Sequence, residues 1–141
     1  MTGALNISAD TKAVLLADAV MFLCALLLGV WKYSQIATSE DHTSHIYVDI
    51  AHRAALLYSF ALLLIATFVQ LSGFSSLVNL LAAGAMTFYF FAAIVGYVVH
   101  GWRRDTDNQF RDPLPGTSAL MITLIGGWLV LVAGFIDKQI F

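Results

Sequence analysis

The chain has 141 residues, 60% of them hydrophobic and 11% charged, with a formal net charge of −2. A soluble domain carries about 25% charged residues and needs them to cover so small a body, so a soluble globular domain and a disordered chain are both excluded. The slight negative charge gives no electrostatic basis for binding nucleic acid, and the single cysteine, Cys24, leaves no internal disulfide or thiolate metal cluster.

The charges are clustered, and the gaps between them delimit the elements. From Ala13 to Trp31 the only Asp, Glu, Lys or Arg is Asp18. Between Arg53 and Arg103 lie 49 residues without any of the four, and from Pro113 to Ile136 another 24. Roughly 20 apolar residues cross a hydrocarbon core about 30 Å thick. As one helix the 49-residue run would be about 73 Å long, so it folds back. The turn signal is 70–76, where Gly73 is free to take positive φ. Four transmembrane helices are predicted: 12–33, 48–69, 76–100 and 117–137. Helices are expected because backbone polar groups in lipid must be satisfied within their own segment. The runs lack the two-residue alternation of a membrane barrel. The first run is as long as a full span, so no cleavable signal peptide is expected. The fold class is therefore an all-α, four-helix integral membrane bundle in a single domain, residues 1–141, with lipid as its surroundings.

Five of the seven basic residues (Lys32, Arg53, Arg103, Arg104, Arg111) lie on the side of the first and third loops, against Lys12 and Lys138 on the other. By the positive-inside rule both loops face the cytoplasm and both termini the outside. Small residues at 82–85 and 126–127, with Ala92, Gly96, Ala133 and Gly134, mark where helices approach each other closely.

All four histidines, His42, His45, His52 and His100, fall on the loop side. His52 lies about one turn inside the second helix, and Tyr97 and His100 share a face of the third. Asp49, one turn before His52 and Arg53, is placed to orient the imidazole or to pair with the guanidinium. Each has a plainer reading: histidine, Tyr and Trp at span ends are common interfacial groups. The pair His42-x-x-His45 has metal-ligand spacing in a polar loop, and Asp18 is an intramembrane carboxyl without an evident partner. Imidazole suits iron, copper and zinc, but there is no cysteine or carboxylate cluster to complete a zinc cage. Haem needs only one protein ligand and an apolar pocket. His52 can be that ligand, and Phe88, Tyr89, Phe90 and Phe91 can either line such a pocket or simply pack.

The ordered set Cys24-x-Leu26-Leu27-x-Gly29-Val30, Ala51-His52, Gly73-Phe74, Tyr97 and Asn108-Gln109-Phe110 resembles the styrene oxide isomerase family, small four-helix membrane enzymes with haem b. The spacing from His52 through Gly73-Phe74 to Tyr97 matches without a gap. The motifs are short, but together they run from the first helix to the third loop. The resemblance implies that His52 is the axial ligand of ferric haem b, whose iron acts as a Lewis acid on an epoxide oxygen. Ring opening and a 1,2-hydride shift then give an aldehyde. It implies that Tyr97 hydrogen-bonds the oxygen, and that Asn108, Gln109 and Phe110 close the pocket or hold the haem propionates. Arg53, Arg103 or Arg104 would pair with those propionates. It further implies a homotrimer in a bacterial inner membrane and a small hydrophobic epoxide as substrate. Tyr58 stands where the family has an Asn near the substrate, which changes the volume and the donors at the iron's open side. Two other readings remain open: a non-catalytic subunit of a membrane complex, and a b-type electron carrier ligated by His52 and His100.

Overall fold

A computed structural model describes residues 6–108, 110–111 and 116–141. Four helices follow in order: α1 (Ala9–Thr38), α2 (Ile46–Leu71), α3 (Ser76–Arg103) and α4 (Thr117–Gln139). Each is long and apolar enough to cross a membrane. Each contains its predicted span and runs beyond it at one or both ends, because the apolar run marks the lipid-embedded part whereas capping groups decide where a helix stops. His45 Nδ1 accepts from the Tyr47 N–H at 3.3 Å to begin α2, and Ser75 Oγ accepts from Val78 N–H at 3.4 Å to begin α3. Arg104, in the left-handed region, ends α3 by donating its N–H to the His100 carbonyl at 2.8 Å.

The four helices do not close into a square. α2 touches all three others and α3 does likewise, but α1 and α4 share no contact among the described residues. α2 and α3 therefore form the centre, flanked by α1 on one side and α4 on the other. The core joins Met21 and Ala25 of α1 to Ala51, Ala55 and Leu62 of α2 and Ala83 of α3, all fully buried. Large apolar side chains turn outward along every helix: Leu16, Leu27, Leu57, Phe88 and Ile122 are each more than 60% exposed. Among the described residues this outward-facing apolar surface is continuous with the candidate spans. That distribution is stable only where the surroundings are hydrocarbon. The chain is an integral, multi-pass membrane protein.

The turn between α2 and α3 is held by α4. Gly73 N–H donates to the Gly134 carbonyl at 2.8 Å, and Gln139 Nε2 donates to the Leu71 carbonyl at 3.0 Å. Gly73 does not take the positive φ expected of it; among the described glycines only Gly116 does. Its glycine is needed for close approach instead. A Cβ there would stand 2.9 Å from Asp137 Oδ2 and 3.0 Å from Lys138 Cβ. Of the small residues expected at helix contacts, Ala83 is buried and Gly127 lies against Met86, while Gly84 and Gly126 face open space.

Candidate functional site

His52 lies in the seam between α1 and α2. Its Nδ1 is 2.9 Å from the Ala25 carbonyl oxygen. A carbonyl oxygen only accepts, so Nδ1 carries the proton and Nε2 keeps its lone pair. Among the described residues Nε2 has no hydrogen-bond partner. The ring reaches this position because α1 offers it no side chain. A Cβ on Gly29 would fall 2.9 Å from His52 Cε1 and 3.2 Å from Nδ1. Ala25 and Gly29, four apart, form one small step on the face of α1, and the imidazole lies on it. A histidine locked through one nitrogen by a backbone carbonyl, with the other bare, is the usual arrangement of a metal-ligating imidazole.

Asp49 does not orient this ring. Its carboxylate lies 2.6 Å from Lys32 Nζ and 3.4 Å from Arg53 NH1, forming a charge triad at the membrane face. Two strong cationic partners outcompete an imidazole already bonded to a carbonyl. Arg53 itself points outward, with most of its side chain exposed.

Tyr58 and Tyr97 are brought together. Their side chains face each other across the α2–α3 interface, and the Tyr58 ring stacks on Phe90 at a centroid distance of 4.4 Å. Tyr97 also lies 6.1 Å from Tyr47, which is fully buried and 5.1 Å from the His100 ring. His52 is not part of this group. Six residues at about 100° each set Tyr58 about 120° around α2 from His52. Among the described residues neither hydrogen bond nor ring contact joins His52 to either tyrosine. The ligand candidate thus opens on the α1 flank of α2, and the tyrosine pair on its α3 flank.

His100 Nδ1 is 2.7 Å from Asp105 Oδ1, and that hydrogen bond holds the Asp105 carboxyl below the usual carboxylate range. His45 caps α2 and stacks against Tyr47. Burial, reinforced by the nearby Arg104, pushes its pKa down. Among the described residues no group of three or more His, Cys, Asp or Glu is gathered as a metal site. In the third loop, Asn108 Oδ1 accepts from the N–H groups of Phe110 and Arg111 at 2.9 and 3.0 Å. Its amide oxygen therefore shapes the loop itself. Phe110 is almost fully exposed, and Gln109 lies outside the described residues.

Ala25 and Gly29 are the neighbours of His52 on α1; Gly29 stood in the first motif without a stated role, and Ala25 fell at one of its unspecified positions. Their small-x-x-x-small spacing was the available signal, since that pattern marks close backbone approach in lipid. Compared with known proteins, the chain matches no family, no curated protein and no solved structure.

Proposed function

We propose that the chain is a haem b-dependent epoxide isomerase that converts a small hydrophobic, aryl-type epoxide to an aldehyde. The observation that carries this reading is the His52 imidazole, fixed through Nδ1 to the Ala25 carbonyl so that Nε2 is left bare inside a span. The resemblance in sequence agrees with it. The residues present suit one edge of the group: the oriented His52 imidazole would hold the iron, and Lys32 and Arg53 at the adjacent membrane face would supply positive charge for the propionates. When bound, ferric haem supplies a Lewis acid that polarises an oxygen. The protein's own residues do the rest. Tyr97 donates its hydroxyl proton in a hydrogen bond to the substrate oxygen as negative charge develops there. Tyr58 holds the Tyr97 hydroxyl in place and, being larger than the family's Asn, narrows the space for the substrate ring. The apolar helices keep water from the opened substrate, so the hydride migrates to the neighbouring carbon and no diol forms.

His52 and the tyrosines open on different flanks of α2, so one site containing both takes the α1 flank of one protomer and the α3 flank of the next. Two different surfaces meeting head to tail close into a ring where the rotation between copies is a whole fraction of a turn, as in the homotrimer implied by the resemblance.

The protein purified from haem-supplied cells is expected to show a Soret band that His52→Ala abolishes. A deuterium-labelled aryl epoxide is expected to give aldehyde with the label migrated and retained. A colourless protein, or a band unchanged by His52→Ala, refutes the ligand assignment. Loss of the label to solvent, or diol as product, refutes the isomerisation.

A further inference from the structure

A cleft of about 300 Å³ opens between α2 and α4, over a floor made by α3. Ala61 and Ile65 form one wall, Leu124 and Trp128 the other, and Met86 and Phe90 the floor. All of its lining side chains are hydrocarbon, thioether or aromatic ring. These positions fall midway along their helices, which sets the cleft near the centre of the bilayer, where apolar solutes concentrate. Both of its ends along the helices are stopped by rings. On the loop side Tyr58 stacks on Phe90 at 4.4 Å; on the side of the termini Phe68 meets Trp128 at 4.6 Å and Phe135 at 5.1 Å.

We infer that this cleft binds one compact apolar molecule, of the size of a single substituted benzene ring, taken laterally from the bilayer. The volume is at the low end for small-molecule sites, which run from about 300 to 1,000 Å³. The two ring stoppers are ten residues apart on α2, about 15 Å between centres, and the rings themselves occupy part of that length. A phospholipid acyl chain, extended along about half of a 30 Å core, is too long to lie between them. A ring is short enough, and aromatic walls favour it through offset or edge-on contact. Phe90 is the partition: one face of the cleft ends on it, and its ring stacks on Tyr58, which engages Tyr97. A molecule in the cleft therefore waits one ring away from the tyrosine pair. Its role as the waiting substrate rests on the isomerase reading, whereas its binding does not.

Trp128 lines the cleft, while Trp31 and Trp102 lie together at the loop face with centroids 6.3 Å apart. The test is quenching of tryptophan fluorescence by bromobenzene, with the full chain in phosphatidylcholine nanodiscs and Trp128→Phe used to assign the signal. Saturable quenching of Trp128 that toluene reverses is expected. Ala61→Phe and Leu124→Phe, which fill the cleft from opposite walls, are each expected to weaken it at least tenfold. Leu57→Phe, on the outer face of α2, is expected to leave it unchanged. Quenching that rises linearly with bromobenzene and ignores toluene overturns the inference without need of any variant. So does quenching by mid-chain brominated phosphatidylcholine that toluene fails to relieve, since that places an acyl chain in the cleft. Saturable binding in a protein without a Soret band refutes the haem reading alone. A Soret band with linear quenching refutes the cleft alone.

Discussion

Replacing Gly29 by alanine puts the arrangement of His52 to a direct trial. The added methyl would stand 2.9 Å from Cε1 and 3.2 Å from Nδ1 of the imidazole. Carbon atoms rest about 3.5–4.0 Å apart, so the ring has to retreat from α1 by roughly 0.6–1 Å. The Ala25 carbonyl is on the same helix face, and the 2.9 Å Nδ1–O bond then stretches to about 3.5 Å or more, beyond hydrogen-bonding length. A bond of this kind is worth about 0.5–1.5 kcal/mol to stability. Losing the partner that orients a metal-ligating histidine typically costs about 10–100-fold in affinity. The assay is a haem titration of the purified apoprotein followed at the Soret band, with a thermal melt beside it. Gly29→Ala is expected to weaken haem binding by about one to two orders of magnitude and to lower the melting temperature slightly. Gly84→Ala and Gly126→Ala, where a Cβ meets nothing within 4 Å, are the controls and are expected to change neither. If Gly29→Ala binds haem as tightly as the parent, the α1 step does not position the ligand and the reasoning is wrong.

Tyr97→Phe removes the proposed hydrogen bond to the developing oxyanion, and kcat is expected to fall about a hundredfold with little change in KM; a raised KM with kcat unchanged would assign the residue to binding. Gly73→Ala drives a methyl against Asp137 and Lys138 and is expected to cost about 1–3 kcal/mol, read as a lower thermal midpoint in detergent with the Soret band retained. His45 has a lowered pKa and, as the α2 cap, accepts the Tyr47 N–H on Nδ1. Unfolded chains therefore take up a proton below the ordinary value of 6.5 before the folded protein does. Its stabilising contribution is complete above that pH and is lost as pH falls toward the folded value. The thermal midpoint is expected to drop on acidification from pH 7, and His45→Asn, which keeps an acceptor at the cap, is expected to flatten that drop; an equally steep profile in the variant would remove His45 as its source.

The spans were legible because hydrocarbon thickness and hydropathy act along the chain, one residue after another. The starts of α3 and α4 were legible too, at 76 and 117, but the starts of α1 and α2 and the far end of every helix lie beyond the predicted spans, as at α2, which His45 starts through a hydrogen bond that composition does not record. The depth of His52 was legible from its distance to the loop, and its angle to Tyr58 from six residues of helical rotation. Which helix covers which flank was not legible. A helix in lipid is apolar all round and has no polar face to say which side is inside. Hence Asp49 suited either the imidazole or the Arg53 guanidinium; the structure pairs it with Arg53 and with Lys32, and a carbonyl of the neighbouring helix takes the ring. Gly73 was legible as a glycine-requiring turn, but its reason, the approach of α4, comes from a segment sixty residues away.

The flanking position of α4 bears on how the chain is made. Its docking surface, the α2–α3 pair with the intervening turn, is already synthesised before α4 leaves the ribosome. Because α1 and α4 share no contact among the described residues, the first three helices can settle against one another in the membrane while α4 is still in the exit tunnel. Its arrival would then clasp a body already in place, so that nothing in the contacts requires the assembly to wait for the fourth helix.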